Sequence, residues 1–323
     1  MRDAVVASAV ARGRSSVHAV SLAGHDVRFT IDERIASAVL PAFSHLPKAS
    51  GAAALCVRVN VLEGELRRAL ELETLGLGGA LDHLDGGATV LHRQPHAAAV
   101  LDRDAATVHA VVHEGGHDAA TDAKPLQLPL SIFFAERDVD FVHGGLVALR
   151  GEGVLLAGRS GSGKSTVAFA SLLAGLDFLG DDCVAVTYAP DRIAGHRIFA
   201  DGCLEYSHVE RLPALRVRAA RRDGKAVVEA VGLTGATTPS SACIRGVIVP
   251  RITGSSDVSM VPIRPAEALM ALAPSSIVKR AVPGGAVLSR LSRLVQRVPC
   301  YRLEMGPVER VGAEVRTFLE ALS

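Results

Sequence analysis

An α/β fold with a mixed sheet, preceded by a smaller β-rich unit, is the architecture this sequence predicts. Three observations carry it. The short apolar run Gly153-Val154-Leu155-Leu156-Ala157 leads into a glycine-rich turn, and helix-forming residues follow over 166–174. Strand and helix candidates then alternate to the C-terminus, the pattern of helices packed on a sheet. The earlier part holds strand candidates separated by Gly-rich turns and helical insertions.

Each element has its own reason. In the first unit, residues 1–135, the apolar and β-branched runs at 54–59 and 107–112 read as strands. Gly76-Leu77-Gly78-Gly79 and Asp85-Gly86-Gly87 mark loops, and Gly115-Gly116 a turn. Pro125 and Pro129 bracket the passage to the second unit, residues 136–323. That passage leads into a helix expected over 130–141. Beyond the 153–174 element come strands at 176–179, 183–187 and 244–249, then a helix over 266–272. The chain closes with a helix over 285–297, a strand over 300–303 and a helix over 309–322. In the last, Val311, Val315, Phe318, Leu319 and Leu322 recur at three- and four-residue spacing, a stripe that docks on a sheet.

Bulk properties narrow the function classes. With 49% hydrophobic and 21% charged residues, the composition is that of a folded soluble protein. A net charge of +1 gives no global pull towards nucleic acid or an anionic membrane. No apolar run reaches the roughly 18 residues of a membrane span, and Met1-Arg2-Asp3-Ala4-Val5 lacks a signal-peptide pattern. Cys56, Cys183, Cys203, Cys243 and Cys300 are scattered and odd in number, which speaks against a disulfide framework and suits a reducing cytoplasm. A cytoplasmic protein is expected.

Gly158-Arg159-Ser160-Gly161-Ser162-Gly163-Lys164-Ser165-Thr166 is a complete G-x-x-x-x-G-K-[ST] phosphate loop between a strand and a helix. Its glycines let consecutive backbone N–H groups converge on phosphate oxygens, and the helix dipole adds positive potential there. Lys164 is expected to reach the β/γ-phosphates and Ser165 to ligate Mg²⁺. The ligand so predicted is a nucleoside triphosphate, ATP. The competing reading, a Gly/Ser turn matching by chance, has to explain both flanks as well.

Two further features point from binding to transfer. Gly180-Asp181-Asp182 follows a strand, with Asp181 seventeen residues beyond Lys164, where a phosphate-loop protein holds its metal carboxylate. Two adjacent carboxylates allow two tasks, metal binding and proton acceptance from an incoming hydroxyl; the bland alternative is a turn. His143-Gly144-Gly145 stands just before the strand leading into the loop, as either a catalytic histidine or a surface turn residue.

His143-Gly144, the fifteen-residue step to Gly158, the phosphate loop and the Gly-Asp-Asp pair resemble the catalytic domain of HPr kinase/phosphorylase. The tail Val298-Pro299-Cys300-Tyr301-Arg302-Leu303 with its final helix looks like HPr-kinase-related proteins found beside peptide-modification genes, including kinases of lasso-peptide precursors. The resemblance spans roughly 135–322 and is motif-specific over 143–187. It implies a PEP-carboxykinase-like nucleotide fold for the second unit. Carried over, Asp181 is the general base, Asp182 the Mg²⁺-associated carboxylate, and His143 assists near the acceptor. Glu210 is the best-spaced choice for the family's later Glu, as a further metal ligand. Thr166 departs from the pattern, since Glu usually follows Lys-Ser in that family.

Other features carry less. His113-Glu114-Gly115-Gly116-His117 spells the H-E-x-x-H zinc signature, but two central glycines cost a helix roughly 2 kcal/mol, so a hairpin turn is expected instead. Arg211, Arg216, Arg218, Arg221, Arg222 and Lys225 form a basic cluster, read either as a solvated face or as a flap meeting phosphates or an acidic substrate. With no aromatics interleaved, nucleic acid is not the expected partner. The leading function is transfer of the ATP γ-phosphoryl group, with Mg²⁺, to a hydroxyl, foremost a serine, on a peptide, protein or small molecule. An ATP-driven switch and a nucleotide-binding scaffold are the alternatives. For the N-terminal unit, substrate recognition and self-association into a homo-oligomer both stay open.

Overall fold

The computed structural model describes residues 1–10, 13–75, 79–113, 124–220, 224–230, 233, 239–277 and 284–322. The chain forms two compact units, Met1–Phe133 and Phe134–Ser323.

In the first unit a seven-stranded mixed sheet runs β1-β2-β3-β7-β6-β5-β4. Its strands are β1 (Ser15–Leu22), β2 (His25–Asp32), β3 (Leu55–Val61), β4 (Ala80–Leu84), β5 (Thr89–Gln94), β6 (Ala97–Asp102) and β7 (Thr107–Val112). The β2–β3 and β3–β7 pairs are parallel and the others antiparallel. Ala23 and Gly24 join β1 to β2 with φ of 49° and 85°, the left-handed pair that matches hairpin twist. Helix α1 (Arg2–Ala9) buries Val5 and Ala9 in a cluster with Leu66, Leu70, Leu91, Val100 and Val111. Helix α2 (Glu33–Val39) starts at Asp32, whose carboxylate accepts from the Arg34 N–H at 2.9 Å and caps the first turn. Helix α3 (Gly64–Ala69) follows β3. The strands expected at 54–59 and 107–112 are β3 and β7. The turn expected at Gly115-Gly116 lies outside the described residues.

Helix α4 (Gln127–Ala135) is shorter than the expected 130–141. Asp138 takes a left-handed φ of 56°, which ends helical winding, and β8 (Val139–Val142) follows. The β-branched Val139 and Val142 pair with the β12 strand named below, and Arg290 donates to Asp138 at 2.9 Å and to the fully buried Asp140 at 2.8 Å.

The second unit adds β9 (Gly145–Leu149), β10 (Glu152–Leu156), β11 (Asp177–Gly180), β12 (Val184–Tyr188), β13 (Ile193–Arg197), β17 (Ser241–Ile252), β18 (Ser259–Pro262) and β19 (Cys300–Met305). With β8 they form a nine-stranded mixed sheet ordered β11-β9-β10-β17-β13-β12-β8, while β19 pairs with both β17 and β18. A separate three-stranded sheet, β14-β16-β15, comprises β14 (Asp201–Glu205), β15 (Arg216–Ala220) and β16 (Lys225–Glu229), so part of the basic cluster lies on strands.

Helices cover both faces of the large sheet, which explains its continuous apolar runs. Val147, Val154 and Leu156 face α5 (Lys164–Leu173) and α9 (Val308–Leu322) in one cluster, with Val167, Phe169, Leu172, Val311, Val315 and Leu319. Leu146, Leu155 and Val247 face α7 (Pro265–Ile277) and α8 (Gly284–Arg297), with Leu272, Val287, Leu291 and Leu294. A one-turn helix, α6 (Tyr206–Val209), follows β14. The last helix docks closely on α5 as well as the sheet. A Cβ at Gly312 would run into the Ala170 backbone, so the glycine permits the approach.

Candidate functional site

The glycine-rich turn links the buried end of β10 to α5, and its shape depends on residues without side chains. Gly158, Gly161 and Gly163 take φ of 153°, 79° and 100°, a backbone that L side chains rarely adopt. A Cβ at Gly158 would run into the Ser162 side chain, and one at Gly163 would lie 2.7 Å from the Met305 sulfur. The turn closes around its own cation. Lys164, 5% exposed, donates from Nζ to the Gly158 and Arg159 carbonyls at 2.8 and 3.0 Å. The first helical bond runs from Val167 N–H to the Gly163 carbonyl, and among the described residues no side chain caps the N-terminus of α5. The amides of Lys164, Ser165 and Thr166 therefore precede the helical bonding pattern and can serve an anion. Ser160 is exposed and Ser165 half-buried. The Ser162 hydroxyl is buried with no hydrogen-bond partner among the described residues.

Strand register brings the other candidates to the same end of the sheet. β9 is antiparallel to both β10 and β11, so β10 and β11 end where β9 begins. Leu156 pairs with Gly145, and Gly180 pairs with Leu146. The glycine-rich turn after β10, His143 before β9 and Asp181-Asp182 after β11 are thus neighbours, with β10 and β11 about 10 Å apart across one strand. His143 was expected just before the strand leading into the loop; β9 and β10 in fact form a hairpin between them.

Glycines make this crowding sterically feasible. A Cβ at Gly144 would sit 2.7 Å from the Leu156 carbonyl oxygen, and one at Gly145 would sit 3.2 Å from that of Gly180. His143 Nδ1 lies 3.1 Å from Asp182 Oδ1, with the side chains 22% and 34% exposed. The backbone N–H of His143 donates to Ser276 Oγ at 3.1 Å, and that hydroxyl donates to the Leu272 carbonyl at 2.7 Å, so α7 holds the histidine from behind.

Asp181 is placed differently. It is 1% exposed and accepts from the Cys203 N–H at 2.9 Å. Gly202 lets β14 approach; a Cβ there would lie 2.8 Å from both Asp181 Cγ and the Phe169 ring. Ser165 is four residues before Phe169 on α5 and shares its face. The turn into β14 is held by Arg197, whose guanidinium donates to the Phe199 and Ala200 carbonyls and lies 5.6 Å from the Phe178 ring centre. Burial pushes the Arg197 pKa down to about 10, opposed by Asp201.

On the other side of the loop, Thr166 Oγ1 is 3.0 Å from His208 Nδ1. Both border a cavity of about 330 Å³ lined also by Arg211, Ile252, Met305 and Val308. Glu210 is exposed at the end of α6, and its neighbours His208 and Arg211 form the cavity wall. Of the H-E-x-x-H stretch only His113 lies within the described residues, its N–H donating to the His96 carbonyl at 2.9 Å. Among the described residues no cluster of three or more His, Cys, Asp or Glu is arranged to hold a metal ion.

No protein-family model matches this chain, and no curated protein matches it. Among solved structures it is similar to the Hpr(Ser) kinase/phosphatase from Coxiella burnetii, at 12% identity and a TM-score of 0.30, over 56% of this chain and 96% of that one. A likeness of that degree carries no functional argument; the side chains must.

Sequence reasoning did not single out His208, Ser276 or Gly202. His208 has no motif around it and meets Thr166 only through the packing of α6. Ser276 lies 133 residues from His143. Arg211 was visible as part of a basic cluster, but its place beside the loop comes from the fold. No helix among the described residues is long and apolar enough to cross a membrane.

Proposed function

We propose that the chain is a phosphotransferase that moves the γ-phosphoryl group of ATP to a hydroxyl, foremost a serine, on a peptide, protein or small molecule. The observation that carries this reading is the His143–Asp182 pair, partly exposed and one strand away from the glycine-rich turn. Phosphate binding alone needs the turn and Lys164. A carboxylate and imidazole paired beside it serve proton transfer.

The two aspartates divide by exposure. A base must be reached by the hydroxyl it deprotonates, and Asp181 is closed off with one oxygen held by Cys203. The base is therefore assigned to Asp182, oriented by His143, and the metal-associated role to Asp181, the reverse of the order implied by the sequence resemblance. Hard oxygen donors suit Mg²⁺, and the Ser165 hydroxyl and Asp181 carboxylate are such donors associated with one face of α5. When bound, Mg²⁺ neutralises charge on the phosphate oxygens.

The residues of the chain perform the rest. Lys164 exchanges its two carbonyl partners for β/γ-phosphate oxygens, and the turn's amides cradle the phosphates. Asp182 accepts the proton of the acceptor hydroxyl as its oxygen bonds to the γ-phosphorus. The bond from that phosphorus to the β–γ bridging oxygen breaks, and ADP leaves. His143 steadies the carboxylate that receives the proton.

Separating binding from transfer tests this assignment. Asp182→Asn should retain the thermal shift given by Mg²⁺-ATP while losing γ-label transfer by roughly a hundredfold, the scale of a missing general base. Wild-type transfer in this variant would remove the basis of the proposal.

A further inference from the structure

The strand order gives the turn two different flanks. On one side of β10 stand β9 and β11, bearing His143 and the aspartates; on the other stand β17 and, beyond it, β19. β17 and β19 run parallel to β10, so their carboxyl ends, Ile252 and Met305, reach the same edge of the sheet. The cavity of about 330 Å³ opens there, between these ends, Thr166 on the first turn of α5, and His208 and Arg211 beyond α6. Met305 touches both spaces, since its sulfur packs against Gly163 of the turn.

We infer that this cavity is the nucleoside subsite, and that the bound triphosphate lies across the turn with its γ-end towards His143 and its base and ribose towards Met305. The inference rests on the phosphate-binding reading of the turn and adds the direction in which the nucleotide lies. Its volume is at the lower end of the ≈ 300–1,000 Å³ of small-molecule sites, and it has the mixed lining such sites use. Ile252, Met305 and Val308 offer an apolar wall for the flat face of a base. Arg211, exposed at the rim, can lie over its other face. Thr166 and His208, hydrogen-bonded to each other, stand where the phosphates give way to the sugar.

Calorimetric titration of the full chain with Mg²⁺-ATP and, separately, with inorganic tripolyphosphate tests this. Wild type should bind ATP at least about tenfold more tightly than tripolyphosphate. His208→Ala with Arg211→Ala should weaken ATP about tenfold or more and leave tripolyphosphate binding within about twofold, which also shows the variant is folded. Equal affinity of wild type for the two ligands, or a variant that keeps wild-type preference for ATP, would overturn the nucleoside assignment while the turn still binds phosphate. Loss of tripolyphosphate binding along with ATP in the variant would also count against it. Failure of wild type to bind either ligand would defeat the phosphate-binding reading itself, and this inference with it.

Discussion

His143 Nδ1 stands 3.1 Å from Asp182 Oδ1, although the two residues follow different strands and meet only because β9 begins where β11 ends. A pair acting as one unit shows a characteristic non-additivity. His143→Ala and Asp182→Asn should each depress phosphoryl transfer strongly. The double variant should be little worse than Asp182→Asn alone, at unchanged ATP affinity. Multiplying effects in transfer assays would mean that the residues act independently.

Ser276 holds the backbone of His143, so its loss should be felt at a distance. Ser276→Ala removes the hydroxyl that accepts from the half-buried His143 N–H, a cost of about 1 kcal/mol. A lower melting temperature should accompany slower transfer per folded molecule. Transfer unchanged alongside reduced stability would show that the hydroxyl supports the fold and not the histidine.

The second unit was more legible than its site. Strands β10, β11, β12 and β17 and the last two helices fall where periodicity placed them, because these segments are apolar enough to be buried on one or both faces. The turn was readable because its chemistry is local: three glycines, a lysine and four hydroxyl residues in one stretch. The difference in exposure between Asp181 and Asp182 was not readable, since it depends on Gly202 and Cys203 of β14 closing over one carboxylate. The helix expected over 130–141 gives way to a strand from Val139, because four residues, Val139-Asp140-Phe141-Val142, are too few to show a period; their pairing with β12 decides it.

Gly312 should tolerate no side chain. Gly312→Ala places a methyl group against the Ala170 backbone of α5, and overpacking of this kind costs about 1–3 kcal/mol. Thermal unfolding should fall by several degrees. An unchanged melting temperature would mean that α9 can shift away from α5 at little cost.

Acid should destabilise the fold well above the ordinary carboxylate range. Burial lowers the pKa of both His92 and His196 to about 4, with the charge of Arg192 adding to the effect at His196. Above the unfolded value of roughly 6.5 both are neutral in either state, and their stability contribution is complete. Between about 6.5 and 4 the unfolded chain takes up protons that the native chain refuses, so stability falls as pH falls. Denaturant unfolding at pH 7.5 and 5 should differ by on the order of 1–2 kcal/mol per histidine. Equal stabilities at the two pH values would contradict the burial of these rings.

Phosphoryl transfer itself is the central claim, and the fate of the γ-phosphate tests it most directly. The purified chain is incubated with γ-labelled Mg²⁺-ATP and the products of neighbouring genes, and the label is followed into protein, peptide, small molecule and inorganic phosphate. The account predicts label on an acceptor hydroxyl, lost with Lys164→Ala and with Asp182→Asn. Label released only as inorganic phosphate, at a rate indifferent to Asp182→Asn, would contradict it and make the chain an ATPase.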